Sequence, residues 1–199
     1  MKTLAVIVAG GAALRLGGEI KAFLDIGGRS ILDREAEVLR GIADEVVINA
    51  NEGRGAFEAA GFEVIEDELK TVRTPLAGLH RSLMHAQDKG FDAVLTVPSD
   101  TPFLPDDLGE RLKQAWKAHA AVAESGDQIH FLTGLWASSL LEALDRAIDR
   151  DGLFRVQDWV RLAGAAVVTW PDRPYDPFLN INTPDDLTEA RRIAAEFGL

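Results

Sequence analysis

Short β-branched apolar runs alternate along this chain with stretches whose apolar residues recur at helical spacing. The runs Thr3 to Val8, Glu45 to Asn49, Phe62 to Ile65, Ala93 to Val97, Ala120 to Ala123, Phe131 to Leu135 and Ala165 to Thr169 predict strands. Between them, Ile31 to Gly41, Ala56 to Ala60, Leu76 to Gln87, Asp106 to Ala118, Ser138 to Asp149 and Pro184 to Phe197 predict helices. The last has a sharp start, with Thr183 placed to cap, Pro184 at the first helical position and two aspartates facing the helix dipole. Strand and helix in alternation read as βαβ units around a mainly parallel sheet, an α/β fold.

Length and composition narrow the picture. With 199 residues and 47% hydrophobic content, the chain builds one domain with a full core. Met1 to Ala9 has the basic start and apolar middle of a leader, yet the run breaks at Gly10-Gly11 and reads better as a buried first strand. No segment approaches the roughly 20 apolar residues of a membrane span. The absence of cysteine excludes disulfides, thiolate zinc sites and thiol catalysis, and suits a cytoplasmic location. A net charge of -11 argues against nucleic acid or an anionic membrane as partner, while a small anion held by a local basic loop remains open.

That loop is Val8-Ala9-Gly10-Gly11-Ala12-Ala13-Leu14-Arg15-Leu16-Gly17-Gly18-Glu19-Ile20-Lys21, directly after the first strand. Glycines let backbone N–H groups approach phosphate oxygens, and Arg15 and Lys21 add full charge. The spacing is neither Rossmann nor Walker A: the first would need glycine at Ala12 and Arg15, the second glycine at Leu16 and lysine at Gly17.

Ligands of open parallel sheets sit beyond the carboxyl ends of the strands. The polar residues that follow the second, third and fourth strands, Asn49-Ala50-Asn51, Glu66-Asp67 and Pro98-Ser99-Asp100-Thr101-Pro102, therefore face the same edge as the loop. Asp100 is placed either to hold Mg2+ against nucleotide oxygens or to cap a turn. Asn49 and Asp67 can be ligand contacts or strand-closing turn residues. Thr74-Pro75-Leu76-Ala77-Gly78 opens a helix with small residues that would admit a flat ring, or serve close helix packing. His80 and His85 read as surface or groove residues, and no two histidines share zinc-ligand spacing with a third partner. The tryptophans read as core or crevice packing.

Together these motifs, with Val64-Ile65-Glu66-Asp67, Arg155-Val156 before Trp159, and Asn180-Ile181-Asn182-Thr183-Pro184, resemble the molybdenum cofactor guanylyltransferases of the nucleotidyltransferase superfamily over nearly the whole chain. The resemblance implies a three-layer Rossmann-like nucleotidyltransferase fold and GMP transfer from GTP to the terminal phosphate of molybdopterin. It implies nucleotide contacts at Val8, Ala9, Gly10, Gly11, Lys21, Asn49, Asp67, Pro75, Gly78 and Asp100, and catalytic roles for Arg15, Lys21 and Asp100. Asp100 would hold Mg2+, Asn180 and Asn182 would lie on the acceptor side, and partners would include proteins of molybdenum insertion or molybdoenzyme maturation. The chain departs from the family pattern at Ile20, where an aspartate is usual, at Thr74 for glycine, and at Phe131 for proline. A cytidylyl or sugar-1-phosphate nucleotidyltransferase, or a non-catalytic nucleotide or cofactor binder, shares most of these features.

Overall fold

A computed structural model describes residues 1–9, 15–16, 18–69, 74–116 and 119–199. Its centre is a seven-stranded sheet in which β1 (Thr3–Val8) is flanked by β6 (Glu45–Asn49) and β8 (Ala93–Pro98). The sheet extends from β6 to β7 (Glu63–Ile65). From β8 it extends through β10 (Gln128–Ala137) and β9 (Ala120–Ser125) to β11 (Ala166–Trp170). β10 runs antiparallel to both neighbours, whereas the other pairings are parallel, the mainly parallel sheet expected. All six residues of β1 are buried, as required of a strand covered on both faces.

Alternate residues of β1 feed two cores. Ala5 and Ile7 meet α1 (Ile31–Arg40), α2 (Arg54–Ala59) and α4 (Leu108–Ala115); Leu4, Val6 and Val8 meet α3 (Pro75–Lys89), α5 (Leu141–Asp151) and α6 (Val156–Leu162). This is the three-layer sandwich. Trp136 and Trp159 are fully buried on the α3 side, in the packing role expected of them.

A third, smaller core joins α7 (Pro184–Phe197) to the hairpin β4 (Asp25–Ile26) and β5 (Arg29–Ser30) through Ile26, Ile181, Ala190 and Ile193. The start of α7 is the one expected. Thr183 Oγ1 accepts from the Asp186 amide at 3.2 Å, and the Asp186 carboxylate accepts from the amides of Asn182 and Thr183 at 2.9 and 2.7 Å. Those amides hold the Asp186 carboxyl below its ordinary range.

Not every element follows from the sequence pattern. Helix α6 is seven residues long and was read only as the motif before Trp159. The strand read as Phe131 to Leu135 spans ten residues, because residues 131–133 form a bulge between the His130 and Gly134 pairings and interrupt the alternation.

Candidate active site

The carboxyl ends of β8, β1, β6 and β7 lie side by side, stitched past the last ladder pairs. The Ser99 amide donates to Val8 O at 3.2 Å, Ala9 to Asn49 O at 2.8 Å, and Ala50 to Ile65 O at 2.9 Å. The polar segments that follow β6, β7 and β8 therefore converge on one edge, beside the end of β1.

On the β6–β7 side, Asn49 is 1% exposed and its Nδ2 donates to Asp67 Oδ1 at 2.8 Å. Asn51 grips the same residue twice, through Nδ2 to Oδ2 at 2.8 Å and by accepting the Asp67 amide at 2.9 Å. Both carboxylate oxygens are thus oriented by amides, with acceptor capacity left for a ligand. Pro75 takes the first position of α3 behind this pair, and Gly78 lies against it. A Cβ on Gly78 would stand 2.5 Å from Asn49 Oδ1 and 2.8 Å from Val8 Cγ1, so only glycine fits. Gly78→Ala is expected to cost about 1–3 kcal/mol of stability by overpacking. It is also expected to weaken nucleotide binding by displacing Asn49, both read in one thermal-shift titration.

On the β8 side sits a charged cluster. Lys21 opens a short 3-10 helix (Lys21–Phe23) after the two-residue hairpin of β2 (Arg15–Leu16) and β3 (Glu19–Ile20). It is 3% exposed, far more enclosed than a surface lysine. Its Nζ donates to Asn182 Oδ1 at 2.7 Å and lies 3.4 Å from Asp100 Oδ2. Asn180 Nδ2 donates to Asp100 Oδ1 at 2.8 Å, and the Ile181 amide donates to Asp100 O at 3.0 Å. The Asn180-Ile181-Asn182 run thus closes around the aspartate and the lysine. Ile20, the departure beside Lys21, packs instead toward Gly53 and Phe57, and Asn182 supplies the lysine with its short hydrogen bond. Gly10, Gly11 and the Arg15 side chain lie outside the described residues.

Behind the cluster is a group the sequence did not single out. Glu35 of α1 is fully buried; its Oε1 accepts from the Thr101 amide at 3.0 Å and the Thr101 hydroxyl at 3.3 Å, and Oε2 has no partner. Burial, opposed by the Thr101 amide and reinforced by the nearby Asp100 charge, raises its pKa well above the ordinary 4.5. A folded-state pKa above the unfolded value means that the native state binds the extra proton, so this group's contribution falls as pH rises through that interval. Glu35→Gln, which removes the titration, is therefore expected to gain stability relative to the wild type as pH rises above the ordinary carboxylate range, read in paired urea melts.

On the other side of the cluster from Asn49 and Asp67 opens a cavity of about 440 Å3, lined by Thr74, Pro98, the bulge Phe131 to Thr133, Phe154, Arg155 and Asn180. Its wall is largely apolar, with Thr133 Oγ1 buried and unpartnered. The Thr74 hydroxyl donates to Phe154 O at 2.7 Å, tying the start of α3 to the far rim. His130 also lines the cavity. Ser125 Oγ donates to Asp176 Oδ1 at 2.7 Å and so accepts from His130 Nε2, also at 2.7 Å, which places the ring proton on Nε2. Burial lowers the pKa of His130 and keeps the ring neutral.

Residues 5–169 match the family model of the MobA-like NTP transferase domain. The chain belongs to that family. A molybdenum cofactor guanylyltransferase of Nitrobacter hamburgensis is 40% identical over 198 residues, covering 97% of this chain and 95% of the relative. One of Rhodopseudomonas palustris is 40% identical over 197 residues, covering 96% and 94%. Among solved structures, molybdopterin-guanine dinucleotide biosynthesis protein A of Archaeoglobus fulgidus superposes with a TM-score of 0.70 at 28% identity, covering 98% of this chain and 99% of that one. The 2-C-methyl-D-erythritol 4-phosphate cytidylyltransferase of Thermus thermophilus, at 22% identity and a TM-score of 0.72, shares the fold.

In this MobA-like transferase the residues read from the sequence fall into two sets joined by β1, Asn49, Asp67 and Gly78 on one side and Lys21, Asp100, Asn180 and Asn182 on the other, while Pro75 lines the cavity together with Asn180. Asn180 belongs to both the charged cluster and the cavity wall. No helix among the described residues is long and apolar enough to cross a membrane.

Proposed function

We propose that this chain transfers GMP from GTP to the terminal phosphate of molybdopterin, giving the guanine dinucleotide form of the cofactor and pyrophosphate. The observation that carries the reading is the position of the Lys21–Asp100–Asn180–Asn182 cluster, between the Asn49–Asp67 side and the Arg155-rimmed cavity. Two substrates entering from opposite sides would meet there. The guanylyltransferase relatives and the Archaeoglobus fulgidus structure support the same pair of substrates.

In this reading Asn49, Asp67 and the start of α3 hold the nucleoside, with Gly78 giving Asn49 the space it occupies. Val8 and Ala9, with Gly10 and Gly11, lead the chain past the phosphates, and Lys21 and Arg15 neutralise them. A phosphate oxygen of the acceptor attacks the α-phosphorus of GTP in line, the bond to the bridging oxygen breaks, and pyrophosphate leaves with that electron pair. The nucleophile is ionised at neutral pH, so no general base is required. Positioning and charge neutralisation supply the rate.

The donor set fits a hard cation. Asp100 is a half-buried carboxylate whose Oδ1 is oriented by Asn180 and whose Oδ2 has only a long contact to Lys21. Asp100 would hold Mg2+, which supplies Lewis-acid polarisation of the phosphates when bound. Glu35 is turned away to Thr101 and takes no part in that ligation. The neutral His130 and the Thr133 hydroxyl give the apolar cavity a few fixed polar points, as suits a flat heterocycle such as a pterin.

Pyrophosphate release from Mg-GTP, measured with and without molybdopterin, tests the proposal. Release that depends on the acceptor supports it, and acceptor-independent or absent release overturns it. A thermal-shift panel of GTP, CTP, UTP and ATP tests the base: stabilisation by CTP alone would identify a cytidylyltransferase on the same fold.

A further inference from the structure

The opposite edge of the sheet carries a second cluster. Glu45 opens β6, Glu63 opens β7, and His85 comes from the second half of α3. A ligand atom from each lies within 4.8 Å of those from the other two. His85 is 5% exposed, and its Nε2 makes no hydrogen bond while standing 3.7 Å from Glu63 Oε1. A buried imidazole nitrogen left unpaired against two carboxylates is costly unless something completes it.

We propose that Glu45, Glu63 and His85 form a structural binding site for a divalent transition metal, Zn2+ by its ligand chemistry. One imidazole nitrogen and two carboxylates are a zinc donor set, with water in a fourth position. Zinc-bound nitrogen and oxygen in a tetrahedron lie about 3.4 Å apart, so the His85–Glu63 pair needs only a few tenths of an ångström of adjustment. Burial lowers the proton affinity of His85, and Arg81 and Lys89 lower it further against the opposing pull of Glu63 and Glu45; the ring is therefore neutral and its nitrogen available as a ligand. Lys89 Nζ lies 3.9 Å from the other Glu63 oxygen on an exposed side chain, free to swing out as the cation enters.

No local motif marks this site, because its ligands lie on three elements that only the topology brings together. His85 and His80 are buried rather than surface residues, and His80 is occupied by Asp145 at 2.7 Å. The metal would clip the short edge strand β7 to β6 and α3, whose other ends carry Asp67, Asn49 and Gly78. The proposal does not rest on the transferase reading.

Zinc titration calorimetry on the full chain carrying Asp100→Asn, which removes the charge of the carboxylate in the Lys21 cluster, is compared with and without a ligand substitution in this cluster. One zinc per chain is expected, with affinity falling about tenfold or more on adding the exposed Glu63→Gln, and a zinc-dependent rise in Tm that the same substitution abolishes. His85→Ala should abolish uptake; if it does not fold, Glu63→Gln decides. Equal zinc affinity with and without Glu63→Gln, or no saturable uptake in the micromolar range, would overturn the site.

Discussion

Asp100→Asn is expected to lower acceptor-dependent pyrophosphate release by about a hundred- to a thousand-fold, with a lowered Tm because the enclosed Lys21 ammonium loses its counter-charge. The replacement is nearly isosteric, and its amide oxygen can still accept from Asn180, which stands 2.8 Å away in the native cluster. What is lost is the negative charge that faces Lys21 and that, in the proposed mechanism, would hold the cation. A residue whose charge acts mainly on the phosphates during transfer should depress kcat more than the apparent GTP affinity. Steady-state kinetics at several Mg2+ concentrations check this, since excess cation should recover part of the loss. A variant with unchanged kcat would remove Asp100 from the chemistry.

Lys21→Met is the second large effect, with an expected loss of about a hundred-fold in kcat/KM. Methionine keeps the buried stem and deletes the ammonium that bonds Asn182 at 2.7 Å and faces Asp100 at 3.4 Å. Lys21→Arg should rescue poorly, because a planar fork does not fit an enclosure 3% exposed that was shaped around a point charge. The double variant with Asp100→Asn should lose much less than the product of the single losses, since each residue partly compensates the other's charge. Strict multiplicativity would show that the two act on separate steps.

Much of this architecture was readable because β-branched runs and helical stripes differ in period, and β1, β6 and β8 were placed within a residue of their ends. The carboxyl-edge rule groups Asn49, Asp67 and Asp100 from the sequence alone. What was missed was short or tertiary. Two-residue strands such as β2 and β4 carry no period, α6 is two turns long, and the 131–133 bulge breaks the alternation that a strand reading relies on. Glu35 looks like any acid on a helix, and only the fold shows it buried against Thr101. His85 failed the spacing test for metal ligands because its partners are strand residues far away in sequence.

The Lys21–Asn182 hydrogen bond joins residues 161 positions apart. A chain growing from its amino end holds the glycine loop, the sheet and Asp100 well before Asn182 exists. The ring around the lysine can close only after that residue has been added and the capping box of the final helix has set its backbone. Synthesis order thus leaves an incomplete chain without the Asn182 partner of Lys21, and the segment that leads into α7 completes that cluster.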